Sequence, residues 1–132
     1  MKVFGNMGKK NKFKNGTDKN FLAQLILCKG CCCGQTEKGW PEVPVDWVKS
    51  IWKSEKLNRT VQLTVSGCIG PCDVPNVVMV TDPFGGAKWY GNIEGRREYE
   101  DLVNWVRSCA SQRKLVELPA SIERLEIHPF RD

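Results

Sequence analysis

The sequence predicts an α+β fold, a small mixed sheet with helices packed on it, and three observations carry that prediction. Strand-like and helix-like segments follow one another in the order strand, helix, strand, strand, strand, helix. A hairpin signal, Asp82-Pro83-Phe84-Gly85-Gly86, sits between two strand-like runs near the middle. With 132 residues, 41% of them hydrophobic and five of them tryptophan, the chain is sized for one folded core.

Residues 21–27 (Phe-Leu-Ala-Gln-Leu-Ile-Leu) read as a buried strand that delivers Cys28 at its end. Gly30, Gly34 and Gly39 mark a loop that closes at Trp40-Pro41. From Val45 to about Leu57, the spacing of Val45, Val48 and Trp52, with Trp47 and Ile51 beside them, suits a helix. Val61, Leu63 and Val65 alternate with Gln62, Thr64 and Ser66, the pattern of a half-buried strand ending at Gly67-Cys68. Val77-Val78-Met79-Val80 is continuously apolar and fits the sheet centre, and Lys88-Trp89-Tyr90-Gly91 returns after the turn. Tyr99, Leu102, Val103, Val106 and Ala110 then trace one face of a helix through about Arg113. Beyond Pro119, Ile122, Leu125 and Ile127 form a periodic patch to which no element is assigned.

The net charge of +5 is unevenly placed. Residues 1–20 carry six lysines against Asp18, which leaves 14 basic and 14 acidic residues for the rest of the chain. The basic balance therefore describes an arm, residues 1–19, rich in Lys, Asn and Gly and without an apolar period. It predicts a flexible segment and argues against a nucleic-acid-binding face. The apolar run that follows is short, contains Gln24 and has Leu27 where a cleavage signal needs a small residue. No stretch is long enough to span a bilayer. The expectation is a cytoplasmic protein, with no membrane insertion, in which thiols stay reduced.

Six of the seven cysteines fall in two clusters, Cys28-Lys29-Gly30-Cys31-Cys32-Cys33 and Cys68-Ile69-Gly70-Pro71-Cys72. Thiolates packed so densely repel one another, and a metal centre holds them better than disulfides do. Four residues separate Cys28 from Cys33, three separate Cys68 from Cys72, and 34 lie between the pairs. Two short-spaced pairs on separate loops suit four thiolates around one iron–sulfur cluster. Both clusters sit where strands end and glycine-bearing loops begin, so that backbone N–H groups point at the sulfurs.

These spacings, the Cys68-Ile69-Gly70-Pro71-Cys72 loop, the apolar strand after it and Lys88-Trp89-Tyr90-Gly91 resemble the thioredoxin-like 2Fe–2S ferredoxins. Within that group the likeness is to the small 2Fe–2S subunit of NADH dehydrogenase and to stand-alone 2Fe–2S ferredoxin-domain proteins. It covers roughly residues 21–110. It implies a thioredoxin-like domain over 20–115 flanked by the arm 1–19 and a C-terminal tail 116–132, with Cys28, Cys33, Cys68 and Cys72 holding a 2Fe–2S cluster. Cys31 and Cys32 are surplus and leave other first-loop pairings open, Cys28 with Cys32 or Cys31 with another thiol. The implied role is one-electron transfer between redox protein partners rather than catalysis, and family members often pair, which implies a homodimer.

Rival readings use the same residues. A structural zinc site also takes four cysteines, but usually with two-residue gaps in both pairs. Such a site would make the chain a scaffold module within an assembly. Cys28-Lys29-Gly30-Cys31 has the spacing of a thiol–disulfide motif, yet Gly34, Gly39 and Pro41 delay the helix that would lower a thiol pKa. A redox or iron sensor, with Cys31 and Cys32 able to form a disulfide on cluster loss, is the third. Cys109 lies on the apolar side of its helix and reads as a core residue. His128, the only histidine, has no partner cluster. Trp40 and Trp89 are candidates for shielding the sulfurs from water. The sequence contains no phosphate-binding glycine motif and no nucleophile–base pair.

Overall fold

The computed structural model describes residues 21–30, 32–67, 69 and 73–128; the arm 1–19, Cys31, Cys68 and Cys72 lie outside the described residues. The elements are β1 (Ala23–Cys28), α1 (Val45–Glu55), β2 (Val61–Ser66), β3 (Val78–Thr81), β4 (Ala87–Tyr90), α2 (Arg96–Gln112), the single turn α3 (Ala120–Glu123) and β5 (Glu126–Ile127). Short 3-10 turns occupy Thr36–Lys38 and Leu57–Arg59.

The five strands form one sheet in the order β2-β1-β3-β4-β5. β1 runs parallel to β2, from Ala23 opposite Val61 to Cys28 opposite Ser66. The β1–α1–β2 unit supplies the crossover that a parallel pair needs. β1 pairs antiparallel with β3, β3 with β4 and β4 with β5. The apolar run at Val78 therefore lies at the sheet centre, as its composition predicts.

Alternation along β1 puts Ala23, Leu25 and Leu27 on one face, all buried, while Gln24 and Ile26 on the other are half-buried. Val48 and Trp52 of α1 and Leu102, Val103, Val106 and Cys109 of α2 join the same core cluster as the buried face. Both long helices are amphipathic for that reason. Two tryptophans meet their polar requirement inside this core: Trp52 Nε1 donates to Val61 O and Trp105 Nε1 to Val116 O, each at 2.8 Å.

α2 begins three residues before the apolar period, because its start is set by polar chemistry. Gly95 N donates to Glu98 Oε1 at 3.0 Å, and Glu98 N to Gly95 O at 3.2 Å. Residues 116–128 also join the fold. Ile122 is buried in the core, and β5 pairs Ile127 with Trp89 and Glu126 with Tyr90. Gly91, at the end of β4, is a point of close approach: a Cβ there would come within 2.9 Å of Val74 Cγ2. No helix among the described residues is long and apolar enough to cross a membrane.

Candidate metal centre

β1 ends at Cys28 between two neighbours. Cys28 N donates to Val77 O at 3.2 Å, and Lys29 N donates to Ser66 O at 2.9 Å. The loop then turns back on itself. Gly30 N donates to Cys33 O, Gln35 N to Cys32 O, and the Gln35 side chain to Gly30 O at 2.6 Å. Gly34 takes a positive φ of 78°, a conformation that suits glycine. The result brings Cys33 back onto Cys28. The two thiols are hydrogen-bonded to each other, and their residues are 5% and 1% exposed. Cys32 points to a half-exposed position.

The backbone amide of Ile69 donates to the Cys28 sulfur. Ile69 is the residue after Cys68 in sequence, so this one position of the second cysteine segment lies beside Cys28. This follows from the sheet register, which sets Cys28 opposite Ser66, two residues before Cys68. Of the residues the sequence singled out, the structure thus brings Cys28 and Cys33 together. Among the described residues no group of three or more Cys, His, Asp or Glu is placed to hold a metal ion.

Cys28 is held far above the ordinary thiol range. The hydrogen bond with Cys33 is the largest cause, burial and charge on Cys33 add to it, and the Ile69 amide opposes them. Two adjacent buried sulfurs resist carrying two bare negative charges. A cationic centre supplies the compensating charge, so this donor set fits a thiolate-bound metal.

Two residues that sequence reasoning did not single out organise the site. Asn76 is 0% exposed. Its Oδ1 accepts from Gly34 N and its Nδ2 donates to Pro41 O, both at 2.8 Å, while its backbone carbonyl accepts from Ile93 N at 3.1 Å. It therefore pins the first cysteine loop, the stretch entering α1 and the segment after β4. The other is Tyr99 of α2, read from the sequence only as a core residue. Its ring is buried, at 1% exposure, and its hydroxyl has no hydrogen bond of normal geometry. Asn76 lies close enough to favour the phenolate, but burial dominates, and charge on Cys33, Cys28 and Glu98 adds to it, so the phenol stands well above its usual range. The one sequence-level signal for Asn76 was an amide placed directly before an apolar strand.

The remaining candidates are elsewhere. Cys109 is fully buried in the core, where burial pushes its thiol up against a hydrogen bond from the Val116 amide. Trp40 is 39% exposed and lies outside the core cluster. Trp89 is half-buried on β4 opposite Ile127. His128 is exposed at the end of the described chain.

The thioredoxin-like 2Fe–2S ferredoxin from Aquifex aeolicus shares this architecture, with a TM-score of 0.52 and 21% identity over 86% of this chain and 96% of that one. The present chain has the thioredoxin-like fold of that protein. A cysteine-to-serine variant of the Aquifex protein gives a TM-score of 0.49 at 24% identity, covering 80% of this chain and 98% of that one. The wild-type protein in another structure gives 0.44 at 20%, covering 83% and 99%. At these identities the likeness is one of fold. No protein-family model matches the sequence, and no curated protein is similar to it.

Proposed function

We propose that this chain is a 2Fe–2S electron carrier that passes single electrons between redox protein partners in a reducing compartment such as the cytoplasm. The observation that carries the reading is the meeting of Cys28 and Cys33 in the core, with the Ile69 amide donating to the Cys28 sulfur. The residues that would hold the cluster are Cys28 and Cys33, together with Cys68 and Cys72, which flank Ile69 in sequence. Bound there, the cluster supplies a one-electron couple whose potential depends on charge, burial and hydrogen bonds to sulfur.

The chain's own residues do the rest. Burial of Cys28 and Cys33 keeps water from the sulfurs, and the Ile69 N–H stabilises negative charge on Cys28. Asn76 holds the first loop rigid, so that little reorganisation accompanies a change of charge. The likeness in fold to the Aquifex ferredoxin supports the same role. No flavin or nicotinamide motif accompanies the cysteines, so electrons arrive from and leave to other proteins.

The test is purification without oxygen, followed by iron and acid-labile sulfide counts and an EPR spectrum after dithionite reduction. Two irons and two sulfides per chain, with a spin-one-half signal on reduction, are expected for this cluster type. Colourless protein with one zinc ion per chain would move the assignment to a structural scaffold.

A further inference from the structure

The Tyr99 hydroxyl is the buried polar group beside the two thiols that electron carriage, as described above, does not use. It reaches no solvent and makes no hydrogen bond of normal geometry. A buried polar group left unpaired is destabilising, so a hydroxyl in that state needs a reason. Burying a phenylalanine here would fill nearly the same volume without that cost.

The surroundings narrow the reason. Asn76 lies next to the phenol, but its orientation is already fixed by two other bonds: Oδ1 is engaged by Gly34 N–H, and Nδ2 is engaged with Pro41 O. Asn76 Oδ1 keeps a second lone pair and Nδ2 a second N–H, but the phenol makes a hydrogen bond of normal geometry to neither, so its proton has no acceptor in this structure. The other charged neighbours in electrostatic range are the sulfurs of Cys33 and Cys28 and the carboxylate of Glu98, and the Glu98 Oε1 already accepts from Gly95 N. A neutral thiol is a weak acceptor, whereas a thiolate sulfur is a strong one.

We propose that the Tyr99 O–H is a donor held for the Cys33 sulfur, engaging it once that sulfur is a metal-bound thiolate and thereby raising the reduction potential of the centre. The inference rests on the electron-carrier reading. Its physical content is simple. Reduction adds negative charge that the sulfurs share, a hydrogen bond to sulfur stabilises the more negative state, and the proton stays on the phenol throughout. Asn76 acts as the positioning residue, because it ties the loop that carries Cys33 to Ile93, three residues before the helix that carries Tyr99.

Tyr99→Phe removes the oxygen and little else. Loaded anaerobically with iron and sulfide, the full-length variant is expected to retain the visible spectrum while its reduced-to-oxidised ratio at the wild-type midpoint falls about tenfold, ~59 mV for one electron. A merely structural role would not move the potential in a variant that loads normally. A second measurement needs no variant: the ultraviolet Raman ring doublet of tyrosine in the wild-type chain should change to the strong-donor pattern on loading, the difference from Tyr99→Phe isolating Tyr99 from Tyr90. A loaded Tyr99→Phe protein with an unmoved midpoint overturns the inference alone. So does a wild-type doublet that is the same with and without iron, even if the variant fails to fold. Wild-type protein that takes up no iron overturns both the inference and the electron-carrier reading.

Discussion

The two ends of the central strands are built in different ways. At the β3–β4 end, the turn closes with its own residues: Asp82 Oδ1 accepts from Phe84 N at 2.8 Å and Gly86 N at 3.0 Å, and Asp82 N donates to Gly86 O. Nothing beyond five consecutive residues is needed. At the opposite end, the first cysteine loop is held by Asn76, across 42 residues to Gly34 and 35 to Pro41, and by the Ile69 amide at the Cys28 sulfur. The hairpin forms wherever its strands meet. The thiol end forms only when four distant segments have already converged, and it spends that order on holding two mutually repelling sulfurs together.

The largest expected effect breaks the thiol end. Cys33→Ser should remove most of the bound iron and sulfide, because serine is a poor ligand for iron at neutral pH. Replacing a buried thiol by a hydroxyl should also cost the metal-free chain about 1–3 kcal/mol. Cys109→Ser is the control: it is equally buried, so it should carry a similar stability cost while leaving the iron content unchanged. Metal analysis beside urea unfolding of both variants separates ligation from packing.

Asn76→Ala should come next. It leaves the partly buried Gly34 N–H and Pro41 C=O unpaired, a loss of roughly 1–3 kcal/mol. The cysteine loop and the stretch entering α1 should then exchange amide protons faster than β3 and β4, which keep their ladder. Equal acceleration throughout the sheet would show that Asn76 acts on the whole fold instead of on the loop it pins.

This asymmetry also decides what the chain revealed before its structure. β1, β2 and the β3–β4 hairpin were legible because alternation and the Asp-Pro-Phe-Gly-Gly turn act over a few neighbouring residues. The spacing alone left the first-loop pairing open among Cys28, Cys31, Cys32 and Cys33; the pair Cys28 and Cys33 was what the family resemblance implied. Asn76 was not legible, since its role depends on Gly34, Pro41 and Ile93 arriving from three other segments. Tyr99 appeared on the apolar face where it lies, but no periodicity tells where a hydroxyl at the end of a ring will stop. The start of α2 at Arg96 was missed for the opposite reason: its first turn is polar, and the Gly95–Glu98 exchange marks it instead of hydrophobicity. α3 and β5 escaped because a two-residue strand exists only by pairing with Trp89 and Tyr90.

Asp82→Ala tests the hairpin end and should do less. It removes one acceptor serving two exposed amides, and water replaces it, so about 0.5–1.5 kcal/mol is expected. Iron content and the reduction potential should be unchanged, since the turn is at the far end of the strands from the thiols. A shift in potential would mean that the two ends are not independent.

The smallest effect concerns a tie that belongs to neither end. Arg107 of α2 grips Glu55 at the end of α1 with two bonds, Nε to Oε1 at 2.9 Å and a terminal nitrogen to Oε2 at 2.7 Å. The Arg107 hydrogen bond is the main reason the Glu55 carboxyl lies below its ordinary range. A carboxyl lowered by folding stabilises above its unfolded pKa, and that contribution is lost as pH falls through the lower, folded pKa. Both side chains are exposed, so salt screens the pair and the contribution is small. Glu55→Gln should therefore lower the urea midpoint slightly at neutral pH in low salt, and not at all at acid pH or in high salt. High salt should not alter the thiol end, where the decisive groups are buried and the ties of Asn76 carry no net charge; the acid arm is run on the metal-free chain, because thiolate ligation is itself lost on protonation. A Glu55→Gln variant that lost iron as well as stability would place the helix pair, and not Asn76 alone, among the determinants of the cysteine loop.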